Sequence, residues 1–89
     1  MPVVEFAPAL QRHARCAPVS TAAASLRSAL DAAFELQPLL RSYVLDEQGA
    51  VRKHVAVFIN GELLHDRQRL ERPLVGADRV YVAQALSGG

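Results

Sequence analysis

The sequence predicts an α+β domain: a mixed sheet of four to five strands with one main helix laid across one face. Three observations predict it. The run RKHVAVFI over 52–59 and the run RVYVAQAL over 79–86 alternate in side-chain character with period two, as half-buried strands do. AAASLRSALDAAFEL over 22–36 is rich in Ala and Leu and repeats its apolar residues every three to four positions, as an amphipathic helix does. Between the two runs, Asn60-Gly61 is a two-residue hairpin turn, because both positions tolerate positive φ.

The elements follow in order. Val3–Phe6 alternates and reads as a first strand, with Val4 and Phe6 facing one way and Val3 and Glu5 the other; Pro8 limits its continuation. Residues 12–19 are expected to return as a second strand in a hairpin, interrupted by Pro18. Ser20-Thr21 supplies a hydroxyl N-cap for a helix starting at Ala22. Leu26, Leu30 and Phe34 form its stripe with Ala23, Ala29 and Ala33 beside them, and Arg27 and Asp31 are placed to pair on the wet side. Pro38 ends the helix by forcing Gln37 from the α region. Residues 39–45 read as a helical turn and then a strand at 43–45, and 46–49 as a turn. Residues 62–64 pair back on 52–59. Residues 65–72 form a charged loop, Pro73-Leu74 and Gly76-Ala77-Asp78 a second turn region, and 79–86 the last strand. First and last strands cannot be joined by a tight turn, so they are expected to lie parallel in the middle of the sheet, the β-grasp layout.

At 89 residues this is a single domain, 1–89, ending in a tail at 86–89. Hydrophobic residues make up 51% and charged residues 21%, which suits a globular chain and excludes a disordered one. A net charge of +1 gives no basic excess for nucleic acid. The opening MPVVEFAPAL is too short and polar for a signal peptide or membrane span, and the single cysteine, Cys16, builds no disulfide framework. The expectation is a cytoplasmic protein without membrane or nucleic-acid partners. Cys16 reads as a small, partly buried apolar residue rather than a sulfur relay. His13, His54 and His65 lack metal-ligand spacing, so no metal site is expected. The run DRQRLER over 66–72 reads as a solvated loop. No nucleophile–base pair stands out, so the chain is not expected to be an enzyme in its own right.

The sequence ends on Gly88-Gly89. Glycine loses the most freedom on ordering and has no side chain to pack, so a diglycine finishes a fold poorly but makes a slim backbone strip. Strand parity gives a second candidate surface. If Val55, Val57, Ile59, Val80 and Val82 face the helix, Ala56, Phe58, Tyr81 and Ala83 form an open apolar face. Phe58 and Tyr81 are then the candidate partner anchors.

HVAVFINGELL, then PLVGADRVYVAQALSGG, resembles the MoaD/ThiS family of ubiquitin-like sulfur carriers, whose pattern sets an apolar strand, an Asn-Gly turn, Pro-Leu and a terminal Gly-Gly in that order. The match covers about the last 40 residues closely and the rest loosely. The chain departs from the pattern at Gly76-Ala77-Asp78, Arg79, Gln84 and Leu86-Ser87. The resemblance implies a carrier rather than a catalyst, with no permanently bound cofactor. An adenylating enzyme of the ubiquitin-activating type would use ATP and Mg²⁺ to convert the Gly89 carboxylate to an acyl-adenylate. A sulfur donor then leaves a thiocarboxylate on Gly89. The implied recipient is a sulfur-accepting synthase, of the molybdopterin type first and the thiamine or cysteine type next. Gly88 serves with Gly89 in the reacting tip, and Leu86 and Ser87 join Phe58 and Tyr81 in partner binding. A protein modifier or a non-covalent β-grasp binding module is the alternative.

Overall fold

The computed structural model describes residues 1–84; the expected end of the last strand at Leu86 and the tail 86–89 lie outside the described residues. The element order is β1 (Val3–Phe6), α1 (Pro8–Gln11), β2 (Val19–Ser20), α2 (Leu26–Leu36), α3 (Leu39–Val44), β3 (Val55–Ile59), β4 (Glu62–Leu63) and β5 (Arg79–Gln84). The strands form one mixed sheet in the order β2-β1-β5-β3-β4. β1 and β5 run parallel at its centre, with Val4 level with Val80 and Phe6 with Val82; the other neighbouring pairs are antiparallel. The expected central pairing of first and last strands is therefore present.

The core lies between one sheet face and α2. Val4, Phe6, Val55, Val57, Ile59, Val80 and Val82 are buried from the sheet side, and Leu26, Ala29, Leu30, Ala33 and Phe34 from the helix side. Phe6 and Phe34 meet with ring centroids 6.2 Å apart. Burying a Leu or Phe side chain contributes roughly 1.5–3 kcal/mol, so this facing pair of stripes dominates the stability of so small a domain. At the β3–β4 hairpin Asn60 (φ 52°) and Gly61 (φ 85°) both take the positive φ that the turn requires.

Several expectations are corrected. Residues 12–19 do not form a strand. Pro8 starts a helical turn instead, where its fixed φ and missing N–H suit the first position, and only Val19–Ser20 pairs with β1. The main helix begins at Leu26, not Ala22, and its cap is Ser25, whose Oγ accepts from Ser28 N–H at 3.2 Å. Thr21 Oγ1 accepts locally from Ala23 N–H, and Ser20 belongs to β2. The residues before the helix are extended because a distant segment takes their hydrogen bonds. Leu74 N–H donates to Ala24 O, Leu26 N–H to Arg72 O, and Arg27 N–H to Leu70 O, each at 2.9 Å.

Residues 43–45 are not a strand: α3 continues to Val44, burying Leu40 and Val44, and Leu45 makes only a single bridge to Val51. β3 starts at Val55 rather than Arg52, because Val55 N–H closes a turn onto Arg52 O at 2.9 Å. Arg27 does not pair with Asp31. Its guanidinium donates to Gly49 O (2.8 Å), Gln68 O (2.9 Å) and Arg69 O (3.1 Å), while Asp31 meets Arg41 at 3.4 Å. The charged loop is not simply solvated. Leu70, in its middle, is 0% exposed at a positive φ of 58°. Asp66 accepts from the backbone N–H groups of Gln68, Arg69 and Glu71.

Candidate functional site

Period-two geometry leaves one sheet face without a helix, and the register aligns its side chains across four strands. Glu5 on β1 is level with Tyr81 on β5, Tyr81 with Phe58 on β3, and Phe58 with Leu63 on β4. Tyr81 is 37% exposed and Leu63 47%; Phe58 is half-buried. The adjoining rung sets Ala56 opposite Ala83, both half-buried, which keeps the surface beside the row low. Such paired side chains stand about 4.5–5.5 Å apart at Cβ, so Tyr81, Phe58 and Leu63 make one continuous apolar strip. At the β1 end the strip stops at charge: Arg79 reaches Glu5 at 3.7 Å across the sheet surface.

Phe58 and Tyr81 are therefore brought together as sequence parity predicts. Leu63 completes the strip and is not singled out by the sequence, because a two-residue strand carries too little periodicity; its level position opposite Phe58 is the informative signal. Leu86, Ser87, Gly88 and Gly89 lie outside the described residues. The strand that leads to them is placed. β5 is described to Gln84, opposite Val55, three residues or about 10 Å along the strand from Tyr81.

A second arrangement fixes the other end of β5. Asn60 Nδ2–H donates to Asp78 Oδ1 at 3.0 Å, Arg79 N–H donates to Asn60 Oδ1 at 2.9 Å, and Val75 N–H donates to Asp78 Oδ2 at 2.9 Å. The β3–β4 turn and the entry to β5 are thereby tied by one side-chain amide. The Val75 N–H bond, then the Asn60 amide, holds the Asp78 carboxyl below its usual range. At Asp66 the Arg69 N–H bond does the same, with Glu71 and Gln68 adding to it.

Cys16 is 7% exposed, and burial pushes its thiol above the usual range, which disfavours the nucleophilic thiolate. Among the described residues no three His, Cys, Asp or Glu side chains converge to hold a metal ion, and no described helix is long and apolar enough to cross a membrane. His13 stacks on Tyr43 with ring centroids 4.1 Å apart, a contact between segments thirty residues apart that no local pattern announces.

No protein-family model and no curated protein matches the chain. Solved structures do. The crystal structure of SAMP1 from Haloferax volcanii is similar with a TM-score of 0.76 at 26% identity, covering 99% of this chain and 98% of that one. The Amycolatopsis orientalis BexX/CysO complex contains a chain that is similar at TM-score 0.81 and 18% identity, with complete coverage of both chains. The solution structure of small archaeal modifier protein 1 from Methanosarcina acetivorans is similar at TM-score 0.79 and 17% identity, covering 99% of this chain and 95% of that one. The latter two, below a quarter identity, bear on the fold alone; all three extend nearly end to end.

Proposed function

From the premise that the chain is a small ubiquitin-like β-grasp protein of the MoaD/ThiS type, we propose that it is a sulfur carrier whose Gly89 carboxylate partner enzymes adenylate and convert to a thiocarboxylate. The observation that carries this reading is the course of β5. The strand occupies the centre of the sheet, contributes Tyr81 to the apolar strip, and is followed in sequence by five residues, the last two of them Gly88-Gly89.

The chemistry needs both features. A carboxylate resists nucleophiles, so it is first joined to AMP as a mixed anhydride, with pyrophosphate leaving ATP. Sulfide displaces AMP and leaves the thiocarboxylate directly. A persulfide displaces AMP to give an acyl disulfide, which a thiol of the partner then cleaves to the thiocarboxylate with formation of a disulfide. The sulfur then passes to an acceptor held by a second enzyme. ATP and Mg²⁺ belong to the activating partner. Without Cβ atoms, Gly88 and Gly89 fit a narrow channel that brings the carbonyl to the nucleotide. The strip of Tyr81, Phe58 and Leu63 holds the partner while the tip is presented; catalytic groups are the partner's. The recipient is a sulfur-accepting synthase, with the molybdopterin type the first to assay.

Intact-mass measurement after incubation with ATP, Mg²⁺, an adenylating enzyme and a sulfur donor tests the reading. Exchange of one oxygen for one sulfur, located at Gly89 by fragmentation, is the expected result. Unmodified protein with every adenylating enzyme tried refutes it. The likeness to proteins called modifiers supports a second use of the same activated tip, transfer to an amine. A covalent protein adduct in place of the sulfur-bearing product distinguishes it.

A further inference from the structure

The net charge is only +1, but the charge is unevenly placed. Arg52, Lys53 and His54 follow one another in the turn that leads into β3, and all three are exposed. Across an open cleft they face Arg67 and Gln68, on the loop that precedes buried Leu70. Among the described residues, Asp46 is the one carboxylate on the cleft lining. Three permanent cations and an imidazole thus stand against a single acid.

That acid is already engaged. Asp46 Oδ1 accepts from Gln48 N–H at 2.8 Å and from Ala50 N–H at 3.0 Å, which commits it to its own turn. Among the described residues no carboxylate forms an ion pair with Arg52, Lys53 or Arg67. The two walls of the cleft are tied together at the base. Val51 N–H donates to Arg67 O at 2.7 Å, and Arg67 Nη2–H donates to Arg52 O. Arg52 is fixed in turn: its N–H donates to Val44 O at 2.9 Å and its Nε–H to Ser42 O at 2.8 Å. One nitrogen of each guanidinium therefore holds the walls, and the outer N–H groups remain as donors. Like charges held close repel one another, and a bound anion relieves that repulsion without having to order the walls first.

The layout selects among anions. A lone carboxylate can meet one wall. A phosphate chain carries charge on successive groups, and its oxygens match the forked donors of a guanidinium, so it can meet both walls at once. The lining holds no Phe, Tyr or Trp on which a nucleobase could stack. We propose that the cleft between the 52–54 turn and Arg67 binds an oligophosphate, free or as the phosphate chain of a nucleotide, with Lys53 and Arg67 as the principal contacts from opposite walls. The site is separate from the chemistry assigned to Gly89, and neither reading depends on the other.

The test titrates the full ¹⁵N-labelled chain with inorganic tripolyphosphate in metal-free buffer at about 20 mM salt, where screening is weak. Saturable amide shifts confined to residues 46–54 and 67–68 are expected. Orthophosphate should bind at least about tenfold more weakly, because it cannot bridge the walls. ATP should bind within a few-fold of tripolyphosphate, since the base is not read. Lys53→Gln changes an exposed, unpaired side chain, so its thermal midpoint should stay put while its affinity falls by about tenfold. Arg67→Gln also removes the bond to Arg52 O, so it is judged only alongside Lys53→Gln. Lys53 is the sole lysine, which gives a second readout. Tripolyphosphate should slow acetylation of Lys53 by an amine-reactive ester several-fold and leave the α-amino terminus unaffected. Absence of saturable shifts, shifts spread over other arginines, or unchanged affinity in Lys53→Gln overturns the site. ATP binding more than about tenfold tighter than tripolyphosphate, or a Glu-rich peptide binding as tightly, overturns the ligand class.

Discussion

Phe58 on β3 stands level with Tyr81 on β5 on the sheet face that no helix covers, and Leu63 on β4 stands level with Phe58. Three apolar side chains from three strands thus meet in one strip, while Glu5 and Arg79 set a charged limit at one end. Partner surfaces concentrate their binding energy in such compact apolar groups.

Tyr81→Ala should weaken binding to an adenylating partner by about 1–2 kcal/mol, a 5- to 30-fold rise in Kd by calorimetry. Its thermal midpoint should move little, because the side chain is more than a third exposed. Leu63→Asp places charge on the strip and should weaken binding at least as much. Phe58→Ala is less clean, since Phe58 is half-buried and some loss of stability accompanies it. Unchanged affinity in both Tyr81→Ala and Leu63→Asp removes the strip from the interface.

Arg27 joins α2 to two loops through the carbonyls of Gly49, Gln68 and Arg69. Removing a charged donor from three acceptors should cost about 2–3 kcal/mol, read as a lower denaturant midpoint in Arg27→Met. Asp31→Asn should cost only a few tenths of a kcal/mol, because the Asp31–Arg41 pair is exposed. Gly49→Ala should add strain of its own: φ is +81° and an added Cβ would lie 3.0 Å from Arg27 Nη1.

The contrast between these residues shows what a single chain of letters reveals. β3, the Asn60-Gly61 turn and the inward face of β5 were legible because period two and turn chemistry are local. The α2 stripe was legible for the same reason. Its start was not: the residues from Ala22 to Ser25 resemble helix, yet Ala24 O and the N–H groups of Leu26 and Arg27 bond to Leu74, Arg72 and Leu70, more than forty positions away. Leu70 was hidden in a charged run, since burial of one side chain leaves no periodic trace. Arg27 satisfied the spacing for Asp31 and went instead to three carbonyls, which a charge-pair rule does not weigh. Of the site, Phe58 and Tyr81 followed from parity, whereas Leu63 required the register.

Asn60 has two duties that substitution can separate. Asn60→Gly keeps the positive φ at no steric cost and loses the bonds to Asp78 and from Arg79 N–H. Asn60→Ala loses the same bonds and adds a left-handed Ala, so it should be less stable than Asn60→Gly by about 1 kcal/mol. Equal stability of the two variants would mean that backbone conformation contributes nothing there.

Asp66 and Asp78 contribute to the acid behaviour. Asp66 accepts from the N–H groups of Arg69, Glu71 and Gln68, Asp78 from Val75 N–H and the Asn60 amide, and each carboxyl is held below its ordinary 3.8 in the folded chain. The unfolded chain therefore binds protons more readily, and stability is lost as pH falls. The contribution is fully present above about 3.8 and disappears as pH drops through the lower folded values. Denaturation midpoints measured from neutral pH downward should fall below that point. The fall should be shallower in Asp66→Asn and Asp78→Asn, and an equal slope in all three proteins contradicts the assignment.

The tail decides between a carrier and a binding module. One residue added after Gly89 moves the carboxylate off the diglycine but leaves Tyr81, Phe58 and Leu63 untouched. Such a chain should melt at the wild-type temperature, bind the adenylating partner within a few-fold, and yield no thiocarboxylate by intact mass. Gly88→Val should behave similarly, because a β-branched side chain widens a backbone strip that must enter a narrow channel. A chain lacking Gly88 and Gly89 should still bind through the strip, since its anchors lie on β3, β4 and β5. If that truncated chain also restores growth where the full chain is needed, the strip is the functional element and the diglycine is incidental.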